Sequence, residues 1–106
     1  MERRRHERFS LQQLVELGFG RERFIHAEGV DISKSGIRCQ TAEEMAIANT
    51  VSIYFTLDQD AENPQTLSAE AVVKRCDHLE DGSFDVGLEF SMRSPWTDRR
   101  LEAYFE

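Results

Sequence analysis

The sequence predicts an all-β fold, an antiparallel barrel or sandwich, closed by one C-terminal helix. Three observations carry this prediction. Val51, Ile53, Phe55 and Leu57 alternate with Ser52, Tyr54 and Thr56, the period-two pattern of a half-buried strand. Turn-forming pairs, Asn63-Pro64 and Asp81-Gly82, punctuate the chain between such runs. After Ser94-Pro95 the apolar spacing becomes helical. Repeated short strands with turns between them are the mark of closed or two-layered antiparallel architectures.

Residues 1–10 read as a mobile basic arm, charged and without apolar periodicity. The domain proper is expected over 11–106. Leu11, Leu14, Val15 and Leu17, ahead of Gly18 and Gly20, fit a short helical turn or an irregular strand, placed here near Leu14 to Phe19. A second strand is predicted from about Arg23 to Ile32, with Gly29 as a bulge or close-approach point. Ile37 to Gln40 forms a third. Thr41 to Asn49, polar and alanine-containing, is a loop with at most one helical turn.

After the strand around Val51 to Leu57, residues 58–66 form a turn or loop. Asp58-Gln59-Asp60-Ala61-Glu62-Asn63 resembles the start of a calcium loop. It lacks the glycine needed at the sixth position, and Ala69 stands where a bidentate acid belongs, so it reads as a solvated acidic loop. Leu67 to Cys76 alternates again, Asp81-Gly82 makes a hairpin, and Phe84, Val86, Leu88 and Phe90 form the last strand. Ser94 can cap a helix of about 95–106, with Pro95 at its first position. Leu101, Tyr104 and Phe105 then share one face that packs on the strands, with Trp96 expected to join them.

The 106 residues suit one domain, and 40% apolar with 31% charged residues is a folded, soluble composition. No run approaches the roughly 18–20 apolar residues of a membrane helix, and no secretory apolar region follows the first arginines. A cytoplasmic protein without membrane insertion is expected. Cys39 and Cys76 belong to no CxxC pair and sit in strand-like runs, which predicts buried reduced thiols. His6, His26 and His78 are scattered, with no metal-ligand spacing, and no nucleophile stands beside a base. An enzyme is not expected, nor a metal or other cofactor. The net charge of −7 disfavours a DNA or RNA duplex as partner. An RNA-binding barrel would need aromatic platforms on a basic sheet, whereas the aromatics here alternate into the core.

Two stretches carry the candidate chemistry. In Asp31-Ile32-Ser33-Lys34-Ser35-Gly36, Asp31 and Ser33 leave the same face of an extended chain, while Val30 and Ile32 point into the core. Gly36 is expected to take positive φ and let the chain reverse into the next strand. The result is a polar shelf offering a carboxylate, a hydroxyl and the Lys34 ammonium. The same residues also fit an Asx-turn that satisfies only its own backbone. Arg3, Arg4, Arg5 and Arg8 crowd the first eight residues, a cationic arm on an acidic body that suits a small anion. Arg4 and Arg8 start roughly 13 Å apart if extended, at about 3.3 Å per residue, enough to span a dinucleotide. Guanidinium groups can grip phosphate, pair with guanine O6/N7, or stack on a purine. A basic terminus that only aids solubility remains the alternative.

Arg4-Arg5-His6-Glu7-Arg8 followed by Asp31-Ile32-Ser33-Lys34-Ser35-Gly36 resembles the paired R-x-x-x-R and D/N-x-S-x-x-G motifs of the PilZ domain family, receptors for the bacterial second messenger cyclic di-GMP. Ala71-Val72-Val73-Lys74-Arg75 and Phe84-Asp85-Val86-Gly87-Leu88-Glu89-Phe90 resemble the later strands of that family. The resemblance implies a six-stranded antiparallel β-barrel with a C-terminal helix and no catalytic activity. It further implies that Arg4 and Arg8 hold guanine and phosphate and that Arg5 adds a phosphate or stacking contact. Asp31 would accept from a guanine N–H edge, Ser33 would bond to ligand or brace the arm, and Gly36 would keep the turn tight. Arg3, Lys34 and Arg38 are further candidate contacts. The ligand would order the arm over the turn and change the surface offered to a separate effector protein, in motility or biofilm regulation. The alternative is a PilZ-like interaction module that binds no nucleotide. Ser35 stands where a second glycine is common, and Glu7 could pair with Arg3 or Arg8 inside the arm.

Overall fold

Strands β1 (Phe9–Phe19), β2 (Arg23–Ile32), β3 (Gly36–Thr41), β4 (Thr50–Thr56), β5 (Thr66–His78) and β6 (Phe84–Arg93) precede helix α1 (Pro95–Phe105). The structure, a computed structural model, describes residues 9–19, 23–56 and 66–105, without the side chains of Phe9, Gln12, Tyr104 and Phe105. The acidic stretch 58–63 and the four arginines of the arm lie outside these residues.

All ladders are antiparallel, and the strands close into a barrel in the order β1-β2-β3-β6-β5-β4. The six-stranded barrel expected from the resemblance is therefore the observed fold, and the sandwich is not. Two three-stranded meanders, β1-β2-β3 and β4-β5-β6, are joined where β3 meets β6 and where β1 meets β4.

Alternation decides which residues fill the interior. In β4, Val51, Ile53 and Phe55 are buried while Ser52, Tyr54 and Thr56 are half-exposed, as the sequence pattern predicts. Leu67, Ala69, Ala71 and Val73 face them from β5, and Val86 and Leu88 from β6. Phe55, 2% exposed, stacks on Phe90 with ring centroids 6.0 Å apart. Burying such a ring contributes about 2–3 kcal/mol.

Ser94 Oγ accepts the Thr97 N–H at 3.1 Å, the expected cap, and Thr97 Oγ1 donates to the Ser68 carbonyl at 2.9 Å. Leu101, 1% exposed, anchors α1 on the barrel. At the hairpin between β5 and β6, Gly82 has φ of 89° and Asp81 Oδ1 accepts from the Ser83 N–H at 2.9 Å. That is the positive φ foreseen for Asp-Gly.

Several expectations need correction. β1 begins at Phe9, not near Leu14, because Phe9 and Ser10 pair with Ile32 and Asp31. An irregularity between Ser10 and Gln13 hides this from the pattern. Val30 is half-exposed rather than part of the core. A bulge between Gly29 and Asp31 inserts one residue, so the inward set shifts from Ala27 and Gly29 to Ile32. Trp96 does not join the helix contact. It is 47% exposed, with the Arg100 guanidinium 5.6 Å from its ring centre. Both cysteines are free thiols; Cys39 is buried and Cys76 half-buried. Burial pushes the Cys39 thiol up to about 12, which keeps it protonated and unreactive.

The loop from 42 to 49 is pinned to β5. Ala48 N–H donates to the Val73 carbonyl at 2.8 Å, and Val73 N–H donates to the Asn49 carbonyl at 2.9 Å. Ala48 meets these bonds at φ of 76°, in the left-handed region. A Cβ there costs about 1–2 kcal/mol, whereas glycine loses about 0.4–1 kcal/mol through its freer unfolded chain. Ala48→Gly is therefore expected to raise the unfolding free energy by about 0.5 kcal/mol. Urea unfolding checks this, and a less stable variant refutes it.

Candidate functional site

Three strands and a turn build the site on the outer face of the barrel. Register places Arg38 of β3 and Arg75 of β5 on either side of Gly87 in β6. Asp85 lies two residues along the same outward face of β6, and glycine at 87 leaves the space across which both guanidinium groups reach it. Arg38 Nε donates to Asp85 at 2.9 and 3.2 Å, and Arg75 Nη1 donates to Asp85 Oδ2 at 3.1 Å. Arg75 also donates to Asp77. Arg38 Nη1 lies 3.8 Å from Asp31 Oδ2, which extends the charged network to the end of β2.

Burial and charge pull Asp85 in opposite directions. Its side chain is only 10% exposed. Desolvation raises its pKa, but hydrogen bonds and charge from Arg38 and Arg75 outweigh it and hold the carboxyl below its ordinary value of 3.8. Hydrogen bonding to Asp85 raises Arg38, and bonds to Asp77 and Asp85 raise Arg75. At neutral pH Asp85, Arg38 and Arg75 are all charged.

Beside it runs an open groove of about 680 Å³ lined by Asp31, Gly36, Arg38, Lys74, Arg75 and Asp85, among others. The turn from β2 to β3 forms one wall. Ser33 is fully buried, its Oγ 3.1 Å from Ser35 Oγ and accepting the Ser35 N–H at 3.2 Å. Ser33 N–H donates to the Gly36 carbonyl at 2.9 Å, and Phe90 N–H donates to the Ser35 carbonyl at 2.8 Å. The turn is thus bonded both to itself and to β6.

Gly36 serves a different purpose from the one its sequence position suggests. No positive φ is recorded there. A Cβ at Gly36 would instead stand 2.0 Å from the Leu88 carbonyl oxygen, so glycine is needed for close approach of β3 to β6.

Of the residues singled out from the sequence, Asp31, Gly36 and Arg38 line this groove, and Ser33 supports its wall from beneath. Lys34 lines the neighbouring hollow instead, with Arg93, Asp98 and Glu102 of the helix side. Arg3, Arg4, Arg5 and Arg8 fall outside the described residues. Sequence reasoning missed Lys74, Arg75, Asp85 and Gly87 as site residues. The available signal was their outward phase beside Val86 and Leu88, but nothing local shows that Asp85 meets Arg38. Among the described residues, no group of three or more His, Cys, Asp or Glu side chains could hold a metal ion. No helix of the described residues is long and apolar enough to cross a membrane.

A closed six-stranded antiparallel barrel with a capped C-terminal helix carries a charged outer groove and a D-x-S-x-x-G turn at its wall. The PilZ domain profile matches residues 2–106, and the chain belongs to the PilZ domain family. Solved structures give the same fold. The inhibitor of motility MotI/DgrA of Bacillus subtilis superposes with a TM-score of 0.79 at 21% identity, over 99% of this chain and 50% of its own. The K. pneumonia MrkH–c-di-GMP complex gives 0.71 at 18% identity, over 98% of this chain and 51% of its own. The PilZ domain of Escherichia coli YcgR with c-di-GMP gives 0.66 at 16% identity, over 98% of this chain and 89% of its own. The chain thus spans about half the length of MotI/DgrA and MrkH. No curated protein sequence matches it.

Proposed function

We propose that this chain is a non-catalytic receptor module for cyclic di-GMP that passes ligand occupancy to a separate effector protein. One observation carries the reading: Phe9 pairs with Ile32 and Ser10 with Asp31. The described chain thus starts beside the groove wall formed by Asp31 and Arg38, and the R-x-x-x-R motif ends at the residue before Phe9 in the sequence. The MrkH and YcgR complexes with c-di-GMP, on the same fold, support the choice of ligand.

In this reading Arg4 and Arg8 grip guanine and phosphate, and Arg5 adds a phosphate or stacking contact. Asp31 accepts from a guanine N–H edge, Ser33 braces the turn, and Gly36 keeps the wall close to β6. Arg38 contributes charge from within the groove. Lys34 and Arg3 serve as outer contacts, and Lys74 and Arg75 stand on the opposite wall, paired with Glu89 and with Asp77 and Asp85. Two phosphates offset the repulsion among the arginines, and the arm closes over the turn from Asp31 to Gly36. The surface offered to the effector changes with it. The module works in the cytoplasm, with neither nucleic acid nor membrane as partner.

Calorimetric titration with cyclic di-GMP tests this. Arg4→Ala is expected to weaken binding at least tenfold, about 1.4 kcal/mol. Absence of binding by the wild type, or equal affinity in the variant, removes the proposal. A second reading, an interaction module that ignores the nucleotide, is favoured by one fact: Arg38 and Arg75 are already paired with Asp85. Amide resonances from Asp31 to Gly36 that stay fixed during the titration select it.

A further inference from the structure

On the far side of the ring from the groove, the barrel carries a second built surface. The groove centres on β3 and β6; β4 and β1 stand opposite them in the closed order of strands. Pairing across five strands puts Phe24, Gly18, Ser52, Glu70 and Met92 in one lateral row, with Tyr54 in the next. The Phe24 ring lies on Gly18, where a Cβ would come within 2.9 Å of it, and its centroid is 6.4 Å from that of Tyr54. Leu14, Phe24 and Met92 are 71%, 49% and 65% exposed, far above the interior-facing residues of the same strands. Tyr54 forms a ridge between two shallow hollows of about 350 and 480 Å³, one beside Leu14 and the other beside Met92.

The charge around this apolar stripe is mainly acidic, since Arg93, the cation lining the hollow beside Met92, is paired with Asp98 at 3.1 Å. Glu16, Glu28 and Glu70 stand on the same outward faces. Glu16 lies 3.7 Å from His26, and among the described residues Glu28 and Glu70 have no ion-pair partner. Such a rim repels anionic lipid, nucleic acid and an identical acidic face of a second copy.

We propose that this face docks a basic amphipathic helix of a partner protein. The helix would seat apolar side chains in the two hollows beside Tyr54 and place lysine or arginine over Glu28 and Glu70. The row curves with the closed barrel, so the helix would lie over β1, β4 and β5, two strand steps or roughly 10 Å, the length of about two helical turns, with Phe24 and Met92 at its flanks. The proposal deepens the effector half of the reading above and does not depend on the nucleotide. Because β1 and β4, at the centre of this surface, line no part of the groove, the helix stays docked whether or not the groove is filled.

The test is an amide-shift titration with a 14-residue leucine/lysine peptide of amphipathic helical order, against a scrambled peptide of the same composition. The ordered peptide is expected to bind at least tenfold tighter than the scrambled one. Its shifts should centre on Leu14, Phe24, Ser52, Tyr54, Glu70 and Met92, with equal affinity in the presence of cyclic di-GMP. Met92→Glu and Tyr54→Ala should each weaken it severalfold while leaving the shifts of the Ser33–Gly36 turn in place. Equal binding by both peptides, shifts centred on the groove, or concentration-dependent self-association through the same residues would each overturn the proposal. A silent cyclic di-GMP titration would bear on the nucleotide reading alone.

Discussion

Gly36→Ala is expected to destabilise the protein by about 3 kcal/mol, the upper end of what overpacking costs. The added methyl would sit 2.0 Å from the Leu88 carbonyl oxygen and 3.1 Å from the Glu89 Cα. These are backbone atoms of a central strand, so no side chain can rotate away. Relief requires β3 to part from β6, which breaks one of the two contacts that close the ring. The same movement shifts Asp31 and Arg38 relative to Asp85, so ligand affinity should fall along with stability. Urea unfolding measures the first effect and calorimetry the second. A loss below 1 kcal/mol would mean that the strands part cheaply and that the wall is not held by this approach.

Asp85→Asn should have the next largest effect, about 2 kcal/mol. Breaking a buried pair costs about 3–5 kcal/mol, and the half-exposed Arg38 and Arg75 reduce this through solvent screening. The pH dependence has a definite sign. Asp85 holds its proton more weakly in the folded state than in the unfolded chain. Its contribution is therefore complete above the ordinary carboxyl value and is lost as pH falls through the lower folded-state value. Between pH 5 and 7 the gap between wild type and Asp85→Asn should be constant, and below about pH 4 it should shrink. A gap that widens in acid would show that the pair does not favour the ionised carboxylate.

Much of this architecture could be read from neighbouring residues. The alternation of Val51, Ile53 and Phe55, the Asp81-Gly82 turn and the Ser94-Pro95 helix start each depend on contacts within a few positions. The start of β1 did not, because the irregularity after Ser10 breaks the period that would have announced it. Val30 was misplaced for the same reason: a bulge moves one residue out of phase, and only the partner strand reveals the slip. The site divides along the same line. The turn from Asp31 to Gly36 is local and legible, whereas Asp85 meets Arg38 and Arg75 only through the registers of β3, β6 and β5. Gly36 shows a subtler limit. Its identity was noticed, but the reason for it, the Leu88 carbonyl, lies in a strand far along the chain.

The division into two meanders has a consequence for how the chain reaches this state. The first meander, β1-β2-β3, leaves the ribosome before the second and has nothing to zip against until β4-β5-β6 follows. Each half-sheet on its own bares two unsatisfied edges and an apolar face, the surfaces most prone to stick to other chains. Both seams must shut to hide them, and both join segments distant in sequence, which is slow compared with forming a hairpin. Newly made protein should therefore pass through a brief sticky interval that the finished ring abolishes, and crowding with sister chains would matter most then.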